Sequence, residues 1–216
     1  MFALFALTGL RQAAAGTSSL PARAAPPAQF ALVVGYNGTQ NPAAAPLRYA
    51  DDDAVSTHRL LQEAGVQAVL LTELDQDSQA LYPDVQVDGA PTLAAILAHF
   101  STLRTAMETA RRHAHEVHFT FVYSGHGDVQ NGVGYVELSE GRLTRTKLYS
   151  QILARSPATF NHVIVDACKA YFLAFDRGPG GRRAPVHGML PTHAEALRHT
   201  GFILSTSSGG DTHEWS

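Results

Sequence analysis

Hydrophobic positions along this chain fall into two spacings. Phe30–Gly35 (FALVVG) is a short apolar run closed by glycine, which fits a buried strand. Gln67–Leu71 (QAVLL) predicts a second strand, and the β-branched and aromatic run Val117–Tyr123 (VHFTFVY) a third. Val163–Val165 and Phe202–Thr206 predict a fourth and a fifth. Between these runs the spacing becomes helical. Val55, Leu60, Leu61 and Ala64 predict a helix over Asp52–Ala64, stopped by Gly65. Thr92 is placed to cap a long helix to about His113, with Leu93, Ile96, Leu97, Phe100, Leu103 and Met107 on one stripe. Thr144 opens another helix to about Arg155, and Thr192–His199 a short one. The polar stretch 72–91, with two prolines, predicts a loop, and Gly134–Leu138 with the residues after Gly141 a short hairpin. Strands alternating with helices predict an α/β fold with a mainly parallel sheet.

Two segments punctuate this pattern. Residues 1–29 read as a leader and linker, Ala-, Pro-, Ser- and Thr-rich from residue 16 on. Residues 30–216 read as one domain, with an internal Gly/Pro/Arg-rich linker at 176–191 (DRGPGGRRAPVHGMLP). Within the leader, Phe2–Leu10 is apolar but far too short to span a bilayer, and small-residue stretches follow it. This is the core and cleavage region of a secretory signal without its basic start. The expectation is export to the periplasm or medium if the segment is a signal, and a cytoplasmic location otherwise.

Composition narrows the function. The 216 residues are 45% hydrophobic and 16% charged, with a formal net charge of −3. That is a globular composition without the basic surplus of a nucleic-acid binder. The single cysteine, Cys168, excludes an intramolecular disulfide. A lone cysteine is most often a small buried hydrophobe, so its surroundings must make any catalytic case. His113, His115 and His118 straddle a helix end and a strand start, and read as a surface cluster rather than a metal site. Arg177–Arg183 is glycine-rich but lacks the Lys-Ser/Thr of a phosphate loop.

The chemistry concentrates at two predicted strand ends: Tyr123-Ser124-Gly125-His126-Gly127-Asp128 and Val165-Asp166-Ala167-Cys168-Lys169-Ala170. Ligands of open α/β sheets bind beyond the carboxyl ends of the strands. A cysteine nucleophile needs a nearby base, and His126 and Cys168 on neighbouring strand tips would supply that pair. The glycines beside His126 permit a tight turn and close approach of a substrate backbone.

YSGHGD and VDACKA resemble the catalytic histidine and cysteine motifs of the caspase, metacaspase and paracaspase superfamily. LRYADDDA (Leu47–Ala54) is similar to the acidic segment after the first strand of metacaspases, and Phe202–Trp215 to the fifth strand and specificity loop. The resemblance implies a caspase-like three-layer α/β/α sandwich. It implies Cys168 as nucleophile, His126 as acid–base partner, and the N–H groups of Gly127 and Cys168 as oxyanion hole. Asp166, two residues before the cysteine, with Asp53 and Asp211, would line a pocket for an Arg or Lys side chain. Arg177, Arg182 and Arg183 would then be self-cleavage sites in the linker. The chemistry uses no metal or organic cofactor, leaving calcium only as a possible activator. The expected partners are protein or peptide substrates, with no nucleic acid and no membrane span.

The pattern departs from the family in two places. Lys169-Ala170 replaces the family's usual residues after the cysteine, and the family fold continues past its fifth strand with another strand and two helices. The expectation is a sandwich lacking them: a fragment, a minimal domain, or one completed by a C-terminal subunit or partner. Three readings stand at this level: a cysteine endopeptidase cutting after Arg or Lys, a legumain-like or separase-like relative, and an inactive caspase-like scaffold.

Overall fold

The computed structural model describes residues 26–114, 116–174, 176–177, 183–184 and 197–205. In chain order the first elements are β1 (Ala28–Tyr36), α1 (Ala50–Glu63), β2 (Gln67–Leu71), α2 (Gln76–Leu81), α3 (Leu93–Ala110) and β3 (Val117–Gly125). A small antiparallel sheet follows, β4 (Gly127–Gln130), β5 (Val133–Glu137) and β6 (Arg142–Thr144). Next come α4 (Arg145–Lys147), β7 (Phe160–Asp166), α5 (Tyr171–Ala174), β8 (Asp176–Arg177), β9 (Arg183–Ala184) and β10 (Thr200–Ser205). The central sheet has the order β10-β7-β3-β1-β2, and every pairing in it is parallel.

Strand side chains alternate between faces, so one strand feeds two cores. Leu32 and Val34 of β1, with Phe119 and Phe121 of β3, pack against the α3 stripe of Ile96, Phe100, Leu103 and Met107. Ala31 and Val33 point the other way, onto Ala54 and Val55 of α1. Helices on both faces of a parallel sheet make the expected α/β/α sandwich.

The caps explain where helices begin and end. The Thr92 hydroxyl accepts from Ala95 N–H at 3.0 Å and starts α3. At the end of α1, Gly65 takes φ +80°. Gly65 N–H then donates to Gln62 O and Val66 N–H to Leu61 O, both at 2.9 Å, closing the last turn.

Three expectations are corrected. Residues 72–91 are not all loop: Asp75 accepts from Ser78 N–H at 2.8 Å and nucleates the six-residue α2. So short a helix gives no periodicity to read. The predicted helix over 144–155 begins as α4, widens to a π turn over Leu148–Ile152 and tightens to a 3₁₀ turn over Leu153–Arg155. The predicted hairpin gains a third strand, β4, directly after His126. Inside the predicted linker, β8 and β9 pair, with Arg177 opposite Arg183. The helix expected at Thr192–His199 falls largely outside the described residues.

α1 sits against β1 so closely that a Cβ on Gly35 would collide with the Ala50 carbonyl and approach the Ala54 Cβ to 2.6 Å. Backbone cannot move aside cheaply. Gly35→Ala is therefore expected to lower stability by about 1–3 kcal/mol, the usual cost of overpacking, read as a fall in the urea midpoint at unchanged slope.

Candidate active site

The β3–β7 ladder runs in constant register from His118↔Phe160 to Ser124↔Asp166. His126 and Cys168 each lie two residues past the last of these pairs, so the register carries both to the same end of adjacent strands. Both line one cavity of about 730 Å³ at the carboxyl end of the sheet. Gly127 is where the two strand-end segments touch. A Cβ there would stand 2.5 Å from the Cys168 carbonyl oxygen and 3.1 Å from the Ala167 Cβ, so only glycine lets the backbones meet. Gly125 serves the turn itself, with φ +151° and no room for a Cβ beside the Tyr123 hydroxyl.

His126 is held from both ends. Its Nε2 lies 3.0 Å from the Ala45 carbonyl oxygen. A carbonyl can only accept, so Nε2 carries the proton and, in the neutral ring, Nδ1 is left as the basic nitrogen. Its own carbonyl accepts from Glu137 N–H at 2.9 Å and from the Tyr123 hydroxyl at 3.0 Å. The Tyr123 hydroxyl also meets the Glu137 carbonyl at 2.6 Å. Burial pushes the Tyr123 phenol well above its usual pKa, with the charge of Glu137 adding to the effect, so it stays a neutral donor. The loop bearing Ala45 is tied down in turn: Gln40 N–H donates to the buried Glu137 carboxylate at 2.9 Å, and the Gln40 side chain donates to Leu138 O and Gly141 O.

Of the three acids expected around a basic side chain, two converge. Asp53, from the first turn of α1, and Asp166, from the end of β7, line the main cavity and also an adjoining one of about 330 Å³. Val122, Ile164 and Ile203 supply apolar wall to the second cavity. The Ser124 hydroxyl lies 3.4 Å from Asp53 Oδ2. Asp211 and Arg182 lie outside the described residues. Arg177 and Arg183 pair in the β8–β9 ladder. His118 lies at the opposite end of β3, where its ring meets His162 and Phe160. Among the described residues, no group of three or more His, Cys, Asp or Glu could hold a metal ion.

The sequence reading missed the supports of the site: Ala45, Tyr123, Glu137 and the Asp128–Lys169 pair, in which Lys169 Nζ donates to Asp128 Oδ1 at 2.7 Å. It also missed Arg48, whose basic side chain belongs to the cavity wall. Burial favours a raised Asp128 pKa. The Lys169 hydrogen bond, Val129 N–H and the Lys169 and Arg142 charges outweigh it, leaving the carboxyl below its usual range. Tyr123, Asp128, Lys169 and Arg48 lie in segments the sequence singled out, but their roles depend on tertiary contacts. Only the spacing of His126 and Cys168 gave a hint, since their separation equals the ladder register.

A parallel sandwich of this topology, with a histidine and a cysteine from neighbouring strand ends on one cavity, is an α/β domain of the caspase-like class. The chain belongs to the caspase-domain family of C14 peptidases, whose family model matches residues 28–211. A crystal structure of protein GSU0716 from Geobacter sulfurreducens is 20% identical, with a TM-score of 0.48, over 80% of this chain. The chain spans 62% of that protein. No curated protein matches. Among the described residues, no helix is long and apolar enough to cross a membrane.

Tyr123→Phe removes the donor shared by the His126 and Glu137 carbonyls, and is expected to cost about 1–3 kcal/mol with the fold retained. The wild-type phenol should also link stability to alkaline pH. Its folded pKa is raised, so its contribution is complete below the unfolded value near 10 and is lost as pH climbs above that value. Denaturant melts of both proteins at pH 7 and above pH 10 check this: the gap between them should shrink at high pH.

Proposed function

We propose that the chain is a cysteine endopeptidase that cuts after Arg or Lys, with Cys168 as nucleophile and His126 as its proton partner. The observation that carries the reading is the β3–β7 register, which delivers these two side chains to one cavity. The Cys168 thiolate attacks the scissile carbonyl carbon and forms a C–S bond. The resulting oxyanion is met by the N–H groups of Gly127 and Cys168. His126 gives a proton to the leaving amine as the C–N bond breaks. Water then hydrolyses the thioester: His126 takes its proton, and the C–S bond breaks to restore the Cys168 thiolate. No cofactor enters these steps. The Ala45 carbonyl keeps the His126 ring in the tautomer whose Nδ1 can accept a proton.

Asp53 and Asp166 support the basic preference. An Arg side chain extending from the main cavity would lay its aliphatic stem along Val122, Ile164 and Ile203 and bring its guanidinium to carboxylates able to pair bidentately. Asp211 is proposed as a third acid of the same pocket. Protein or peptide chains are then the substrates, and the basic segment around Arg177, Arg182 and Arg183 is a candidate for self-cleavage.

Fluorogenic peptides differing only in the residue before the cut test this reading. Arg and Lys should be cleaved and Asp should not, and Asp166→Asn should reduce the Arg preference over a neutral residue by about tenfold. Cys168→Ala and His126→Ala should each lower kcat by at least about a thousandfold with the fold unchanged, because the two act as one unit. Full activity in Cys168→Ala would rule out a thiol mechanism altogether, since the chain has no other cysteine. Incubated wild-type protein should acquire new N-termini after Arg177, Arg182 or Arg183, and Cys168→Ala protein should stay whole. A purified wild-type chain that cleaves no peptide would leave the inactive scaffold as the reading to pursue.

A further inference from the structure

The parallel ladder that aligns the two strand ends stops at Ser124↔Asp166, two residues short of both His126 and Cys168. Beyond it, His126 stands on the bend between β3 and β4, and Cys168 on the loop after β7. Two features lock these strand-end segments to each other. One is the backbone contact at Gly127. The other is the ion pair between Asp128, two residues after His126, and Lys169, one residue after Cys168. Asp128 Oδ1 also accepts from Val129 N–H at 2.7 Å, which fixes the carboxylate that Lys169 must reach. Lys169 reaches it from a left-handed backbone, φ +55°, which a side chain other than Gly or Asn rarely adopts. Both residues line the same cavity as the reactive pair.

We infer that Asp128 and Lys169 are positioning residues that hold the β3–β4 bend bearing His126 and the loop bearing Cys168 in fixed relation to each other. The pair makes a poor structural brace. Its side chains are 39% and 40% exposed, and ion pairs so open to water add little to stability. Its placement suits registration instead, because it joins the two segments whose relative position sets how His126 meets the thiol. A small misplacement of reacting groups can cost a large factor in rate with little change in folding. An unusual backbone angle beside a reactive side chain is also more often found at functional sites than elsewhere.

This inference rests on the peptidase reading, and the test separates the two. Compare wild type, Asp128→Asn, Lys169→Met and the charge-swapped double variant Asp128→Lys/Lys169→Asp. Measure kcat and KM on an Arg peptide, the melting temperature, and the pH dependence of Cys168 alkylation by iodoacetamide. Cys168 is the only thiol, so the label reports on it alone. Each single variant should lose about tenfold to a hundredfold in kcat, with KM within about threefold and the melting temperature nearly unchanged. The alkylation midpoint should move in both single variants, since a displaced His126 no longer supports the thiolate. The swapped pair should recover most of both losses. Single variants that match wild type in rate and alkylation would overturn the inference. So would losses that the swap fails to repair, which would mean that Lys169 or Asp128 acts by itself. If the wild type cleaves no peptide, the proposed function fails, and the alkylation profiles still decide whether the pair sets the two segments.

Discussion

Everything at the candidate site depends on one register, the parallel pairing of β3 with β7. A one-residue slip would turn each strand's core face toward the opposite helix layer and would separate His126 from Cys168 along the strand direction. The slip is prevented by burial on both sides. Phe119, Phe121 and Tyr123 of β3 and Val163 and Val165 of β7 belong to one core with α3, while Val122 belongs to the other, with Ile164 packed against it. The geometry of the candidate site is thus a by-product of core packing: the side chains that fix the register lie inside the sandwich, and His126 and Cys168 stand beyond the strand ends.

A second layer of order comes from the loop between β1 and α1. Its first residue, Asn37, does the capping that Tyr49, the residue before α1, cannot do. Asn37 Oδ1 accepts from Ala50 N–H at 2.8 Å, and Asn37 Nδ2 donates to the fully buried Asp51 at 2.7 Å. Gln40 binds the same loop to the end of β5 through Glu137 and to the turn after it through Leu138 and Gly141. The loop between these anchors carries Ala45, whose carbonyl orients the His126 ring, and Arg48 on the cavity wall. A loop that only connected a strand to a helix would not need fastening at three points.

The strands and the two long helices were legible because each buries a face, and burial imposes a period that sequence displays. Gln67–Leu71 coincides with β2, and the stripe from Ile96 to Met107 is the buried face of α3. His126 and Cys168 each follow a predicted strand, and the structure brings both to one cavity; their roles rest on the resemblance of YSGHGD and VDACKA. The rest was hidden for definable reasons. α2 and β4 are too short to show a period, and their reasons for existing lie in a cap at Asp75 and in pairing with β5. Ala45 acts through a backbone carbonyl, which any residue has. Glu137 and Tyr123 read as strand residues until tertiary contacts give them their roles.

The run Asp51-Asp52-Asp53 condenses the relation between sequence and site. Three identical residues opening a helix read alike, as charges that complement its dipole. Each step along a helix turns the side chain by about 100°, so three neighbours must enter three environments. Asp51 turns inward, where Asn37 Nδ2 and the N–H groups of Asp52 and Asp75 satisfy it. Asp52 turns toward α2. There burial raises its pKa, a Ser78 hydrogen bond opposes that, and the charges of Asp51, Asp75 and Asp77 raise it further. Asp53 turns to the cavity beside Ser124 and Asp166. The inward acid fixes where α1 starts, and the start of α1 fixes where Asp53 points. An acid at the mouth of the site is therefore held in place by another that never meets a substrate.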